Sequence, residues 1–457
     1  MEETPRNTRA KLNRYPPGSY RQVLALAYPV IITMISQTLM WLMDTIMVGR
    51  LGTAQLAAVG LGGSILWTLF AFFNGLIGSA NTFISQDYGA EQYDDIGKVM
   101  WHYLYIAIAS YIVVLLFAIY GSGFIFSLIR QSAEVREYAS VYARIRLYCG
   151  IGVFVSFTVA GFFRGIGNTK TPMYIAIIAN SLNIVFNYLL IFGKFGFPRL
   201  EVAGAALATA GSSIFSAILY LIVCLSKKYN TAYFTRSFYR VEFSRIRRII
   251  HVGLPMGVQF FLDSASFTTF SFLIERMGKV SLAASNASIA IMSTSFMPLV
   301  GISIATTTLV GQYIGAKDLE NARKSGYTAI KIGVFYTMLV ASNFFIFPKQ
   351  LVSLVTKEPE VVALGAKILM LAGIFQLSDG FGICANGALR GAGDTRFTMI
   401  VGLSYAWFLF VPLAYLFGYT FNGGVVGSWI GATIYIVIYG ITIFMRFRRG
   451  KWESMKI

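Results

Sequence analysis

Charge is what this chain lacks most: 13% of its 457 residues are Asp, Glu, Lys or Arg, against 56% hydrophobic. A protein dissolved in water needs polar groups over its whole surface. This balance, with a mean hydropathy of +0.64, therefore excludes an ordinary soluble enzyme and points to lipid as the main solvent. Histidine is nearly absent, His102 and His251 standing alone, which leaves little general-base capacity and no company for a metal. Paired-histidine metal motifs and serine-nucleophile motifs are missing too, so a membrane-embedded enzyme is disfavoured and no cofactor is expected. The three cysteines, Cys149, Cys224 and Cys384, fall inside apolar runs and read as small apolar residues rather than a disulfide or metal framework. Acids are scarce, 20 against 38 bases, for a formal charge of +18. In a soluble protein that excess would suggest nucleic acid; here the placement of the bases decides otherwise.

What is present is apolar length. A spanning helix needs about 20 apolar residues, and twelve runs qualify: roughly 22–49, 56–83, 98–120, 138–163, 171–193, 202–226, 250–275, 282–311, 326–348, 362–389, 397–418 and 423–446. They are apolar all round, unlike the alternating segments of a barrel. Glycine-rich punctuation separates them, as at Gly121-Ser122-Gly123, Gly165-Ile166-Gly167-Asn168 and Gly391-Ala392-Gly393-Asp394. The polar, basic N-terminus (Arg6, Arg9, Lys11, Arg14) is unlike a cleavable signal sequence. With that terminus inside, 26 of the 38 bases fall on inner segments, so the positive-inside rule places both termini in the cytoplasm of a multi-pass inner-membrane protein. The expected division is a tail over 1–20, an N-lobe over 21–226, a basic linker over 227–249, a C-lobe over 250–446 and a tail over 447–457. The linker carries Lys227, Lys228, Arg236, Arg240, Arg245, Arg247 and Arg248; membrane lipid is its expected partner and surface anchoring its plain role.

The sequence matches itself at an offset of 226 residues. Pro29 meets Pro255, Arg50-Leu51-Gly52 meets Arg276-Met277-Gly278, and Arg164-Gly165-Ile166-Gly167-Asn168-Thr169-Lys170 meets Arg390-Gly391-Ala392-Gly393-Asp394-Thr395-Arg396. A repeat of six helices enters the membrane twice from the same side. The fold class is therefore an all-α membrane protein of twelve helices, in two six-helix lobes related by a pseudo-two-fold along the membrane normal. Such a bundle suits a transporter better than a channel.

Met43-Asp44-Thr45-Ile46-Met47-Val48-Gly49, Gly253-Leu254-Pro255 and Ala388-Leu389-Arg390-Gly391 also look familiar, as do Ser85-Gln86-Asp87-Tyr88-Gly89-Ala90 and its partner Val310-Gly311-Gln312-Tyr313-Ile314-Gly315-Ala316. On these residues the chain resembles the multidrug and toxic compound extrusion (MATE) family over about 20–446, and its NorM-like branch in particular. The resemblance implies two lobes in a V and export of organic, usually cationic, compounds driven by inward sodium ions or protons.

Seventeen of the 20 acids lie in tails, loops or helix ends, leaving Asp44, Asp263 and Asp379 well inside spans. Intramembrane carboxylates are costly and usually functional. Asp263 and Asp379 lie about 18 and 17 Å from the inner ends of their helices at 1.5 Å per residue, near mid-membrane in one lobe. They resemble the NorM-like carboxylate pair, although helix 7 there commonly has Glu, and a Tyr one turn before the second acid is here Phe375. Asp44, Asn183, Asn187 and Thr209 match a polar cluster of the DinF-like branch, where the position of Asn187 usually carries a second Asp. A carboxylate in apolar surroundings can exchange a proton or hold sodium among oxygen ligands, and a cationic substrate competes for the same charge. Two readings of each residue stand. The Asp and Asn side chains also serve as interhelical hydrogen-bonding groups, and Pro29 and Pro255 are either hinges or fixed kinks. Gln37, the repeat partner of Asp263, together with Asn74 and Phe375, is a candidate lining of the substrate cavity. The expected function is a monomeric antiporter for organic cations using H+ or Na+, with no nucleic acid and no metal beyond Na+. A flippase for lipid-linked precursors is the alternative, although it calls for a cationic central cavity and few bases fall mid-span.

Overall fold

The computed structural model describes residues 15–128 and 131–455. Most of the expected 1–20 tail and the last two residues of the 447–457 tail lie outside the described residues. Among the described residues all regular structure is helical, as lipid requires: backbone groups in hydrocarbon must bond within their own segment. The helices are α1 Tyr20–Gly49, α2 Thr53–Gly89, α3 Tyr93–Gly121, α4 Ala133–Tyr148 with Ile151–Gly165, α5 Lys170–Phe192, α6 Glu201–Cys224, α7 Phe243–Glu275, α8 Lys279–Gly315, α9 Leu319–Ile346, α10 Pro359–Ala392, α11 Thr395–Thr420 and α12 Gly424–Arg448. Ten are long and apolar enough to cross a membrane, and α4, bent by 49°, makes an eleventh. The twelfth, α7, is diluted by its basic start and by polar positions such as Gln259, Asp263, Ser266 and Thr269. Apolar side chains facing outward, such as Phe408 at 81% exposure and Ile222 at 62%, have lipid to cover them.

The internal repeat governs helix boundaries. Gly49 and Glu275, Thr53 and Lys279, Gly89 and Gly315, and Tyr93 and Leu319 are end or start residues 226 apart. The repeated glycine motif ends α4 and α10, with Gly167 at φ 80° and Gly393 at φ 87°, a region open to residues without a Cβ. The Asn168/Asp394 position then ties helices together. Asn168 donates to Thr171 at 2.9 Å and Tyr229 at 2.8 Å, while Asp394, 3% exposed, pairs with Arg446 at 2.8 Å. One punctuation signal fails: Gly121-Ser122-Gly123 continues helically into Ser122–Leu128, and the Ser122 hydroxyl donates to the Ala118 carbonyl at 2.6 Å.

The described residues form two compact units, one of Ile32–Gly257 and the other of the described parts of Leu12–Ile31 with Val258–Ile457. Each unit takes the opening half of the other's first helix, and the change falls two residues after Pro29 in α1 and two after Pro255 in α7. Glycine makes this possible. In the first unit a Cβ on Gly75 of α2 would lie 2.6 Å from the Met256 carbonyl oxygen, and one on Gly257 would lie 2.6 Å from that of Phe72. In the second, the repeat-equivalent Gly301 of α8 would meet Ile31 of α1 at 2.7 Å.

The 227–249 segment is also more structured than a surface anchor. It contains a helix, Lys227–Tyr233, and α7 begins at Phe243 rather than 250. It docks on α3 of its own unit: Trp101 Nε1 donates to the Thr235 carbonyl at 2.9 Å and the Tyr105 hydroxyl to that of Tyr239 at 2.7 Å. His102 is fully buried and accepts the Glu242 N–H at Nε2 at 2.9 Å. Asp95 receives both Lys98 at 3.0 Å and Arg245 at 3.1 Å.

Candidate functional site

In the first unit, α1, α5 and α6 bring together the four residues grouped from sequence. Asn183 and Asn187 are one turn apart on the buried face of α5 and are both 0% exposed. Asn187 Nδ2 donates to Asp44 Oδ1 and, at 3.0 Å, to Asn183 Oδ1. Asn183 Nδ2 in turn reaches Thr209 Oγ1 at 3.3 Å and Ser212 Oγ at 3.5 Å. The Thr209 hydroxyl lies within hydrogen-bonding range of Asp44 and donates to the Ala205 carbonyl at 2.9 Å. Because both Asn187 hydrogens point at acceptors, its Oδ1 is left buried without a donor. Arg146, in the last turn before the bend of α4, is the protein's own charge acting on Asp44. Neither Arg146 nor Ser212 was singled out from sequence; a basic residue in the last turn of a half-span was the available signal for Arg146.

In the second unit the pattern differs. Asp263 of α7 and Asp379 of α10 are both half-buried. The charge acting on Asp263 is that of Arg390, whereas no charge among the described residues acts appreciably on Asp379. The two carboxylates act on a common residue, Tyr435 of α12. Tyr439, one turn on, accepts Gln259 Nε2 at 3.2 Å and Asn386 Nδ2 at 2.9 Å. No residue of α12 was expected at this site, although Tyr435 and Tyr439 share a face at i, i+4 spacing. Phe375 itself is 5% exposed and packs in the apolar core with Phe270 and Phe344, so it does not line an open cavity. Gln37 is exposed, while Asn74 is half-buried with its Oδ1 enclosed and unbonded.

A sequence profile described as MatE matches residues 29–189 and 255–416, one copy in each half of the chain. The chain belongs to the MatE family. Two curated relatives, each named a probable multidrug resistance protein NorM, agree along nearly their whole length. That of Bacillus licheniformis is 28% identical over 94% of this chain and 95% of its own, and that of Thermotoga maritima is 27% identical over 96% and 95%. Among solved structures, a MATE in complex with MaL6 superposes with a TM-score of 0.88 at 24% identity, covering 96% of this chain and 97% of that one. An outward-facing multidrug resistance MATE family transporter of the MOP superfamily does so at 0.85 and 25%, over 96% and 97%. As a MatE protein this chain is a multi-pass membrane transporter with a twelve-helix, two-lobe fold, not an enzyme.

Proposed function

We propose that the protein is a secondary active multidrug exporter. It carries organic, mostly cationic compounds outward in exchange for protons or sodium ions entering, as a monomer of the inner membrane with both termini cytoplasmic. The observation that carries this reading is the set of three carboxylates, Asp44, Asp263 and Asp379, inside apolar spanning helices among amide, hydroxyl and phenol groups. Such a carboxylate binds a proton, a sodium ion or a substrate cation, and two cations contending for one charge need only favour opposite-facing states to be exchanged. The relatives named for multidrug resistance support the substrate class. Pro29 and Pro255 support the motion: each removes a helix hydrogen bond just before its helix passes from one unit to the other.

The test is dye efflux from proteoliposomes with a proton gradient and a sodium gradient imposed separately. Efflux of a cationic dye under at least one gradient is expected, and none under either would end the exporter reading. Asp379→Asn and Asp263→Asn should each lower gradient-driven efflux at least about tenfold while leaving the protein folded, since neutralising a coupling charge removes the exchange step. Undiminished efflux in both would remove these residues from the coupling site.

A further inference from the structure

Arg390 is the repeat partner of Arg164 and lies in the last turn of α10. An arginine there could simply lean towards the interface, where it would favour the helix C-terminus. Its guanidinium turns inward instead, towards α7. One NH2 group donates to Gln259 Oε1 at 3.2 Å, and Cζ lies 4.8 Å from the centre of the Phe260 ring. Gln259 is one helical turn before Asp263. The amide of Gln259 is itself fixed, since its Nε2 donates to Tyr439, and Tyr439 also accepts from Asn386, one turn before Arg390. Three helices thus close a ring, Arg390–Gln259–Tyr439–Asn386, that holds a positive charge within the field of Asp263.

Of the other two intramembrane acids, Asp44 has an arginine of its own, Arg146, whereas Asp379 has no such charge acting on it among the described residues. The first unit carries no copy of the Asp263–Arg390 pair: the residue equivalent to Asp263 there is Gln37, and Arg164 neighbours Tyr220. An arginine held at this position also packs helix ends in both halves, so only a charge-specific experiment separates the two roles.

We propose that Arg390 is a tethered counter-cation that competes with cationic cargo for Asp263, keeping the affinity of that carboxylate low enough for release. Because the arginine never leaves the protein, it repels an incoming positive charge in proportion to how well the cargo seats, and it neutralises the carboxylate once the cargo has gone. Asp379, without such a competitor, is then the stronger of the two acids towards a cation. The inference rests on the exporter reading and assigns a specificity-setting role within it.

The experiment is the binding of a cationic dye, rhodamine 6G, to purified protein in detergent at one fixed pH and salt, read by fluorescence polarisation. Arg390→Met should tighten binding about tenfold, a typical effect of removing a close like charge, whereas Arg390→Lys should bind as the parent does. Asp263→Asn should weaken binding, and in that background Arg390→Met should have no further effect. A neutral aromatic ligand of similar size should bind both proteins alike. Should Arg390→Met not fold, Arg390→Gln removes the charge and keeps a donor for Gln259. Unchanged dye affinity in the folded neutral variant, or equal tightening with Asp263 already neutralised, would overturn the proposal. Failure of the parent protein to bind any cationic dye would instead count against the exporter reading, before any variant is compared.

Discussion

Asn187 gives both amide hydrogens away and keeps an oxygen with nothing to accept. That is why a neutral residue can stand beside Asp44 where a second acid would repel it: the amide nitrogen supplies the hydrogen bond, and the oxygen remains for a cation or a proton donor. Replacing it by leucine should strand the buried carboxylate. Asn187→Leu is therefore expected to cost about 1–3 kcal/mol, seen as a lower melting temperature in detergent, along with reduced efflux. An unaltered melting temperature would mean that Asp44 finds other donors. In the opposite direction, Asn187→Asp sets two carboxylates side by side, which favours a shared proton or a bound cation. The i, i+4 spacing of Asn183 and Asn187 made this face legible in the sequence. Nothing there told that Arg146 would act on Asp44 from α4, a helix far along the chain.

Helix α7 is the one of the twelve that length and composition alone do not mark as a span, and it passes from one unit to the other. Its first half is held by backbone proximity to α2, with glycine on both sides of the crossing at Gly75 and Gly257. A side chain at Gly75 would place its Cβ 2.7 Å from the Gly257 Cα, so the helices must part. Gly75→Val should then lose about 1–3 kcal/mol by overpacking, lowering thermal stability more than the same change at Gly63, where a Cβ meets nothing within 4 Å. Equal tolerance of valine at both sites would show that the crossing is looser than the backbone distances imply. The apolar runs announced these helices, yet the start of α7 was missed by seven residues, from 250 back to Phe243. Arg245, Arg247 and Arg248 carry too much charge to read as spanning, and they become helical because the segment docks on α3 through Asp95 and His102.

For the whole molecule, the consequence is that neither half of the sequence is a complete unit. Residues up to 226 lack the opening of α7 that the first unit requires, and the remainder lacks the opening of α1 that the second requires. Chains 1–226 and 227–457 produced separately should accordingly be unstable, whereas co-production should allow them to co-purify and recover efflux. A stable, monodisperse 1–226 fragment on its own would contradict this dependence. Duplication of a six-helix unit explains the pattern: both copies kept the proline and the crossing, at 29 and 255, while the acids diverged.

The sequence by itself determined the solvent, the number of spans, the repeat and the three acids within it. Each of these follows from local composition and a fixed spacing, because a bilayer imposes the same length and backbone requirement on every segment. Family membership was legible for the same reason, in short polar motifs at helix ends. Only the tertiary structure decided which unit the first halves of α1 and α7 belong to, that Asp263 and Asp379 both lie within electrostatic reach of Tyr435, and that Arg390 turns inward to Gln259. Those outcomes depend on side chains from helices distant in the chain meeting at one point. No periodicity within a single helix encodes that meeting.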